Sequence, residues 1–304
     1  MSITRLAVAS AALLLAQAAG AQGTPQPSEP TVTGKELAPG FHVLVGLGGG
    51  LVSGNTVVSI GKQGVLIVDT EFPVFVPKYR RMIAELGGGD VTLAINTHWH
   101  DDHAEGNKVL GPAGIPLIAH SNSREMLTRH NRVNVVRTVL DQPAYPAEAL
   151  PSITYEDRMQ IFFNGERIDL LHVAPAHTAG DTVVIFRGHN IVHMGDVFLT
   201  SAYPFFDVDD GGDFDGLIRF CRKALEEINR DTLIVPGHGE VAHYQDLANY
   251  IDMLVAVRAR VAELVKKGAT LEQVVAAQPT AEWDAKYGNP KTYFLDRAYK
   301  SLKR

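Results

Sequence analysis

The sequence predicts an α/β fold in which two halves, each of strands followed by helices, face one another as a sandwich. Three observations predict it. Apolar, β-branched runs alternate with amphipathic helical stretches along the 304 residues. The second half of the chain repeats the order of the first. Every cluster of chemistry-bearing side chains follows directly on a strand-like run, where an α/β sheet places its site. With 45% hydrophobic and 20% charged residues, the chain is expected to form one domain around a large core.

The first residues read as an address rather than as structure. Arg5, the apolar run 6–16 and Ala19-Gly20-Ala21 form a secretory signal peptide over residues 1–21. A flexible leader rich in Pro, Thr, Ser and Gly follows over 22–35, and a single domain is expected over 36–304. The apolar run is too short to span a bilayer, and no later segment reaches the roughly 20 apolar residues a span needs. The expectation is an exported protein, periplasmic or secreted, with no membrane insertion after signal cleavage. The net charge of −6, or −7 once Arg5 is removed, offers no basic field for nucleic acid or anionic lipid, so the expected partner is a small-molecule substrate. Cys221 is the sole cysteine, which excludes an intramolecular disulfide; at helical spacing from Leu217, Ala224 and Leu225 it reads as a buried core residue.

Residues 41–45 and 55–60 read as strands joined by the glycine-rich stretch 46–54. That stretch has no Lys-Ser/Thr ending and no helix after it, so it reads as a mobile hairpin flap rather than a phosphate loop. Residues 65–70 form an apolar strand carrying Asp69, which either caps a turn or braces neighbouring histidines and backbone. A helix over 77–86 is stopped by three glycines, and strand 91–96 follows, with a helix start at 104–110. Residues 116–120 are a strand, Ser121 caps a helix through 129, and 144–152 is a proline-interrupted loop. Asn164-Gly165 joins strands 159–163 and 167–173 as a hairpin. Strands 182–186 and 190–194, a helix over 215–229, strand 232–236 and a long helix over 244–266 complete the second half. Thr270 caps a short helix through 277, and an amphipathic segment runs from 292 to 302.

The chemistry concentrates after strand 91–96, in His98-Trp99-His100-Asp101-Asp102-His103. On an extended segment His98 and His100 point to one side and can reach one ion, while Asp102 and His103, past the turn, can reach a second. Imidazole nitrogen with carboxylate oxygen suits Zn²⁺ best, ahead of iron or manganese. Three later stretches carry further ligand-type residues between glycines or after strands: His177 in 175–182, Asp196 in 192–198 and His238 in 235–240. The remaining histidines, at 42, 120, 130, 172, 189, 193 and 243, have no partners at ligand spacing and read as structural; Trp99 and Asp101 are given no catalytic role.

With these residues in order, the chain resembles the metallo-β-lactamase superfamily, whose His-x-His-x-Asp-His signature stands at His98 to His103. The resemblance implies an αββα sandwich with the site at one edge between two sheets. It implies that His98, His100 and His177 bind a first zinc, that Asp102, His103 and His238 bind a second, and that Asp196 bridges them, two zinc ions per chain. It also implies hydrolysis, in which a metal-bound hydroxide attacks an acyl carbon and Asp102 orients the water. In β-lactamases of this superfamily with a thiolate in the second site, a Cys stands at the place of Asp196 and a Lys soon after binds the substrate carboxylate; residues 197–201 contain no Lys. Tyr203-Pro204-Phe205-Phe206 is expected either to line the entrance as an aromatic wall or to pack as a loop. The leading expectation is a hydrolase of β-lactam-like cyclic amides or related lactones and esters. The alternatives are a thioester hydrolase, an iron-dependent persulfide-type oxygenase of the same fold, and a metal-binding protein without catalysis.

Overall fold

The computed structural model describes residues 29–291 and 293–304. The expected signal peptide, 1–21, and the beginning of the leader lie outside the described residues. The rest of the leader is corrected: Thr31–Ala38 is a strand, β1, paired antiparallel over its length with β2 (Phe41–Gly48). Its side chains are mostly exposed, so backbone pairing rather than an apolar pattern places it, and composition alone did not reveal it.

β3 (Leu51–Gly61) and β4 (Gly64–Val68) continue that antiparallel sheet, and β5 (Val91–Ile95) and β6 (Leu117–His120) extend it in parallel. A small separate hairpin, β7 (Asn131–Asn134) and β8 (Val139–Gln142), precedes β9 (Ile153–Tyr155), which closes the first sheet in the order β1-β2-β3-β4-β5-β6-β9. The second sheet runs β10 (Arg158–Phe163), β11 (Glu166–Leu171), β12 (Val183–Phe186), β13 (Ile191–His193), β14 (Leu233–Val235) and β15 (Ala242–His243). Asn164 and Gly165 turn β10 into β11 with φ of 55° and 76°, the left-handed pair that an Asn-Gly hairpin requires.

The layers follow from the two-residue period of the strands. In β4, Val65 and Ile67 pack outward against Val76, Tyr79 and Ile83 of helix α1 (Val76–Glu85), whereas Leu66 and Val68 face inward. There they meet Ile168, Leu170, Val184 and Phe186 of the second sheet. That sheet's outer face, through Val183, Ile185, Val192 and Ile234, is covered by helices of the second half. The result is the expected αββα sandwich. Among the described residues no helix is long and apolar enough to cross a membrane.

Two expectations about the loop after β5 are corrected. The strand ends at Ile95, and the histidines sit in the bend that follows it, so they do not share a pleat. The single helix start is two short turns, α2 (Asp101–Ala104) and α3 (Asn107–Leu110). They are split because Gly106 lies against the Thr70 carbonyl, where an added Cβ would stand 2.1 Å from the oxygen, and donates its N–H to the Glu71 carbonyl. The remaining helices are α4 (Ser121–Leu127), α5 (Phe214–Glu227), α6 (Tyr244–Lys266), α7 (Leu271–Ala276), α8 (Asp284–Tyr287) and α9 (Phe294–Lys303). Cys221 on α5 is fully buried, donates to the Val197 carbonyl at 3.2 Å and takes no part in the centre described next.

Candidate metal centre

All seven expected ligand residues converge at one edge of the sandwich, each supplied by a loop at a strand's end. His98 Nε2 and His100 Nδ1 stand 3.2 and 2.9 Å from His177 Nε2. Beside this trio, His238 Nε2 lies 3.2 Å from His103 Nε2 and 3.1 Å from Asp102 Oδ2. Asp196 stands between the two groups, with Oδ1 3.2 Å from His103 and Oδ2 3.7 Å from His177. Each ligand trio has its donor atoms within 4.8 Å of one another.

The donor set fits metal. Neighbouring ligands of a tetrahedral ion with bonds of about 2.0–2.1 Å stand about 3.3 Å apart, close to the spacings in both trios. Asp196 Oδ1 is buried without a hydrogen-bond partner, an orphan that a cation would satisfy. Burial holds His98 well below the ordinary histidine range, and it also lowers His177, so both rings keep their lone pairs. Burial opposes charge on Asp196, yet His238 and His103 hold this carboxyl well below the ordinary range.

The nitrogens facing away from the centre are held as well. Asp69 Oδ2 accepts from His103 Nδ1 at 2.7 Å and from the Thr97 hydroxyl at 2.8 Å, and Oδ1 accepts from the Thr97 N–H at 2.7 Å. Thr97 Oγ1 in turn meets His98 Nδ1 at 3.1 Å. His177 Nδ1 donates to the Phe205 carbonyl at 2.7 Å. These contacts select the tautomers that leave Nε2 of His98, His103 and His177 free to coordinate. Of the two roles open to Asp69, the structure shows the brace. Gly54, on β3, passes so close that a Cβ there would lie 2.2 Å from His103 Cε1.

Sequence reasoning missed Asp207. It is fully buried, with Oδ2 3.4 Å from His100 Nε2, and its own N–H bonds to the His177 carbonyl. Its place among Asp207, Asp209 and Asp210 hid it, since an acidic loop ordinarily reads as a solvated surface. The histidines read as structural stay outside the ligand groups. His193 bonds the Asn55 carbonyl at 2.7 Å, and His120 and His172 stack on each other at 3.9 Å.

A cleft opens over the centre, with His100, Asp102, His177 and Asp196 on its floor. The β7–β8 hairpin lines one side; the glycine-rich stretch 46–54, expected as a flap, is not among the described lining residues and forms the end of the β2–β3 hairpin, where Leu47 pairs with Val52 and Gly48 with Leu51. Of the aromatic segment, Phe205 lines the cleft, whereas Tyr203 and Phe206 are buried in the core behind it.

Comparison with known proteins agrees with this geometry. A family model described as the metallo-beta-lactamase superfamily matches residues 18–264. The chain belongs to this superfamily. A probable metallo-hydrolase of Methanocaldococcus jannaschii is 24% identical over 205 residues, covering 66% of this chain and 94% of that protein. The crystal structure of the DIM-1 metallo-beta-lactamase superposes with a TM-score of 0.60 at 20% identity, covering 76% of this chain and 98% of its own. A metallo-beta-lactamase from Pontibacter korlensis gives the same TM-score at 15% identity, covering 74% and 99%. These two superpositions carry the fold. Superfamily membership and the metal-compatible cluster make the chain a metallo-hydrolase.

Proposed function

We propose that this protein is an exported hydrolase holding two zinc ions, which opens an acyl bond of a β-lactam-like cyclic amide or a related lactone or ester. The observation that carries the reading is the pair of ligand trios sharing one carboxylate: seven donor residues are too many for one tetrahedral site, and Asp196 faces both. His98, His100 and His177 would hold one ion and Asp102, His103 and His238 the other. Zinc bound there would supply Lewis acidity for an acyl carbonyl and would bring the pKa of a bound water from 15.7 towards ~7. Asp102 lines the cleft and is the carboxylate placed to orient the attacking water and take up its proton. Asp69 and Thr97 keep His98 and His103 in register while charge develops. The exported location rests on the charged start, apolar run and small-residue cleavage pattern of residues 1–21.

The test is metal analysis of the purified protein joined to a panel of a chromogenic β-lactam, a lactone, an ester and a thioester. About two zinc ions per chain and turnover of a cyclic amide, lactone or ester are expected. A single ion would overturn the dinuclear site, and iron with no hydrolysis would overturn the reading in favour of an oxygenase; full zinc content without turnover would leave a binding protein.

A further inference from the structure

The geometry points to a substrate class for this centre: an acyl compound whose part away from the scissile carbonyl is apolar and uncharged, gripped between the β7–β8 hairpin and an aromatic wall supplied in part by the chain's last segment. The inference rests on the hydrolase reading above and deepens it.

Val133, Val135 and Leu140 present one apolar side of the cleft directly beside the ligand residues. Phe205 and Tyr293 form the other, their rings edge to face with centroids 5.9 Å apart. Phe205 stands 5.9 Å from the His177 ring and 6.1 Å from that of His100, so the wall adjoins the first ligand trio. The wall is rigid, because the Tyr293 hydroxyl donates to the Tyr203 carbonyl at 2.8 Å and the Tyr203 ring stacks on Phe294 at 4.9 Å. Phe205 lies within the superfamily match, which ends at residue 264, and Tyr293 lies beyond it, so the C-terminal segment supplies one half of this wall.

Among the described residues no Lys or Arg lines the cleft, and the one carboxyl there outside the ligand set is that of Asp101. On the hairpin, Arg132 alternates with Val133 onto the opposite face and lies 3.6 Å from Asp141. An anionic group at the far end of the substrate, away from the ligand residues, would therefore lose its water against valine, leucine and phenylalanine with no Lys or Arg side chain to receive it. An alkyl group would gain roughly fourfold in transition-state or binding affinity for each methylene it buries.

The experiment compares kcat/KM of the zinc-loaded enzyme on 4-nitrophenyl acetate, 4-nitrophenyl hexanoate and mono-4-nitrophenyl adipate, the last with a six-carbon chain ending in a carboxylate. Hexanoate is expected to exceed acetate and adipate by at least tenfold each. Val135→Lys should raise the adipate-to-hexanoate ratio at least tenfold, and Leu140→Lys serves as the second variant if the first fails to fold. Equal rates on hexanoate and adipate, or a ratio that neither lysine moves, would overturn the inference. If no ester is turned over, ligand-observed NMR with acetamide and hexanamide decides. Hexanamide binding that is lost in Val135→Lys would retain the apolar cleft while the hydrolase reading falls, and no preference for hexanamide would remove the cleft inference too.

Discussion

Asp69→Asn is the substitution that most directly tests how the centre is held. The carboxylate accepts three hydrogen bonds, from the Thr97 N–H at 2.7 Å, the Thr97 hydroxyl at 2.8 Å and His103 Nδ1 at 2.7 Å. An amide of the same shape keeps one acceptor, which can still serve the Thr97 N–H, but offers an NH₂ where the other two donors point. His103 then gains by moving its proton to Nε2, the nitrogen that faces the second trio. The Thr97 hydroxyl, now receiving a bond from the amide, turns its hydrogen towards His98 Nδ1 at 3.1 Å and moves that ring's proton to Nε2 as well. Both rings would present N–H where a metal needs a lone pair. Loss of such an outer partner costs about 10–100-fold in metal affinity, which is about 1.4–2.7 kcal/mol for each histidine affected. Competition against a chromogenic chelator measures it, with circular dichroism to show that the fold persists. Asp69→Ala separates tautomer from packing, since it leaves buried donors unpaired at about 1–3 kcal/mol each without imposing a wrong proton. Zinc binding by Asp69→Asn with wild-type affinity and stoichiometry would refute the argument.

Asp102→Ala should abolish turnover while the protein stays folded, because it removes a ligand and the carboxylate that orients water; steady-state kinetics retaining most of the activity would place the base elsewhere. Asp196→Cys should bind metal but shift substrate preference, with kcat/KM on a β-lactam changing more than on an ester; equal changes would reduce Asp196 to a holder of metal. Gly54→Ala should displace His103, whose Cε1 would lie 2.2 Å from the new Cβ, so titration should show loss of one metal per chain before loss of fold. Glu71 is fully buried with Oε2 unpartnered, and burial pushes its carboxyl up from 4.5 to about 8. Over that window the folded chain keeps a proton that the unfolded chain has released, so stability falls as pH rises through it, by at most about 5 kcal/mol. Glu71→Gln should therefore raise the melting temperature more at pH 8 than at pH 5, and an equal shift at both would show that Glu71 is ionised in the fold.

Much of the fold and nearly all of the ligand set were legible in the sequence because they depend on local rules. Periodicity placed β4, β5, the Asn164-Gly165 hairpin and the helix Tyr244–Lys266, since apolar alternation and turn chemistry act over a few residues. The ligands announced themselves through residue type and spacing: four donors within six positions leave few structural explanations. Four features were decided only by the folded chain, the last two through contacts between residues far apart in the sequence. β1 is placed by backbone pairing to β2, which no side-chain pattern records. The β7–β8 hairpin turns through Val136 at φ 71°, a residue that gives no turn signal, so the apolar side of the cleft went unread. Asp207 acquires its role by meeting His100 across 107 positions, and Tyr293 reaches the cleft from the last segment through the Tyr203 carbonyl, 90 positions away. Local sequence determines which atoms can bind metal; which side chains brace those atoms, and which wall the substrate meets, is set by long-range packing that no short window contains.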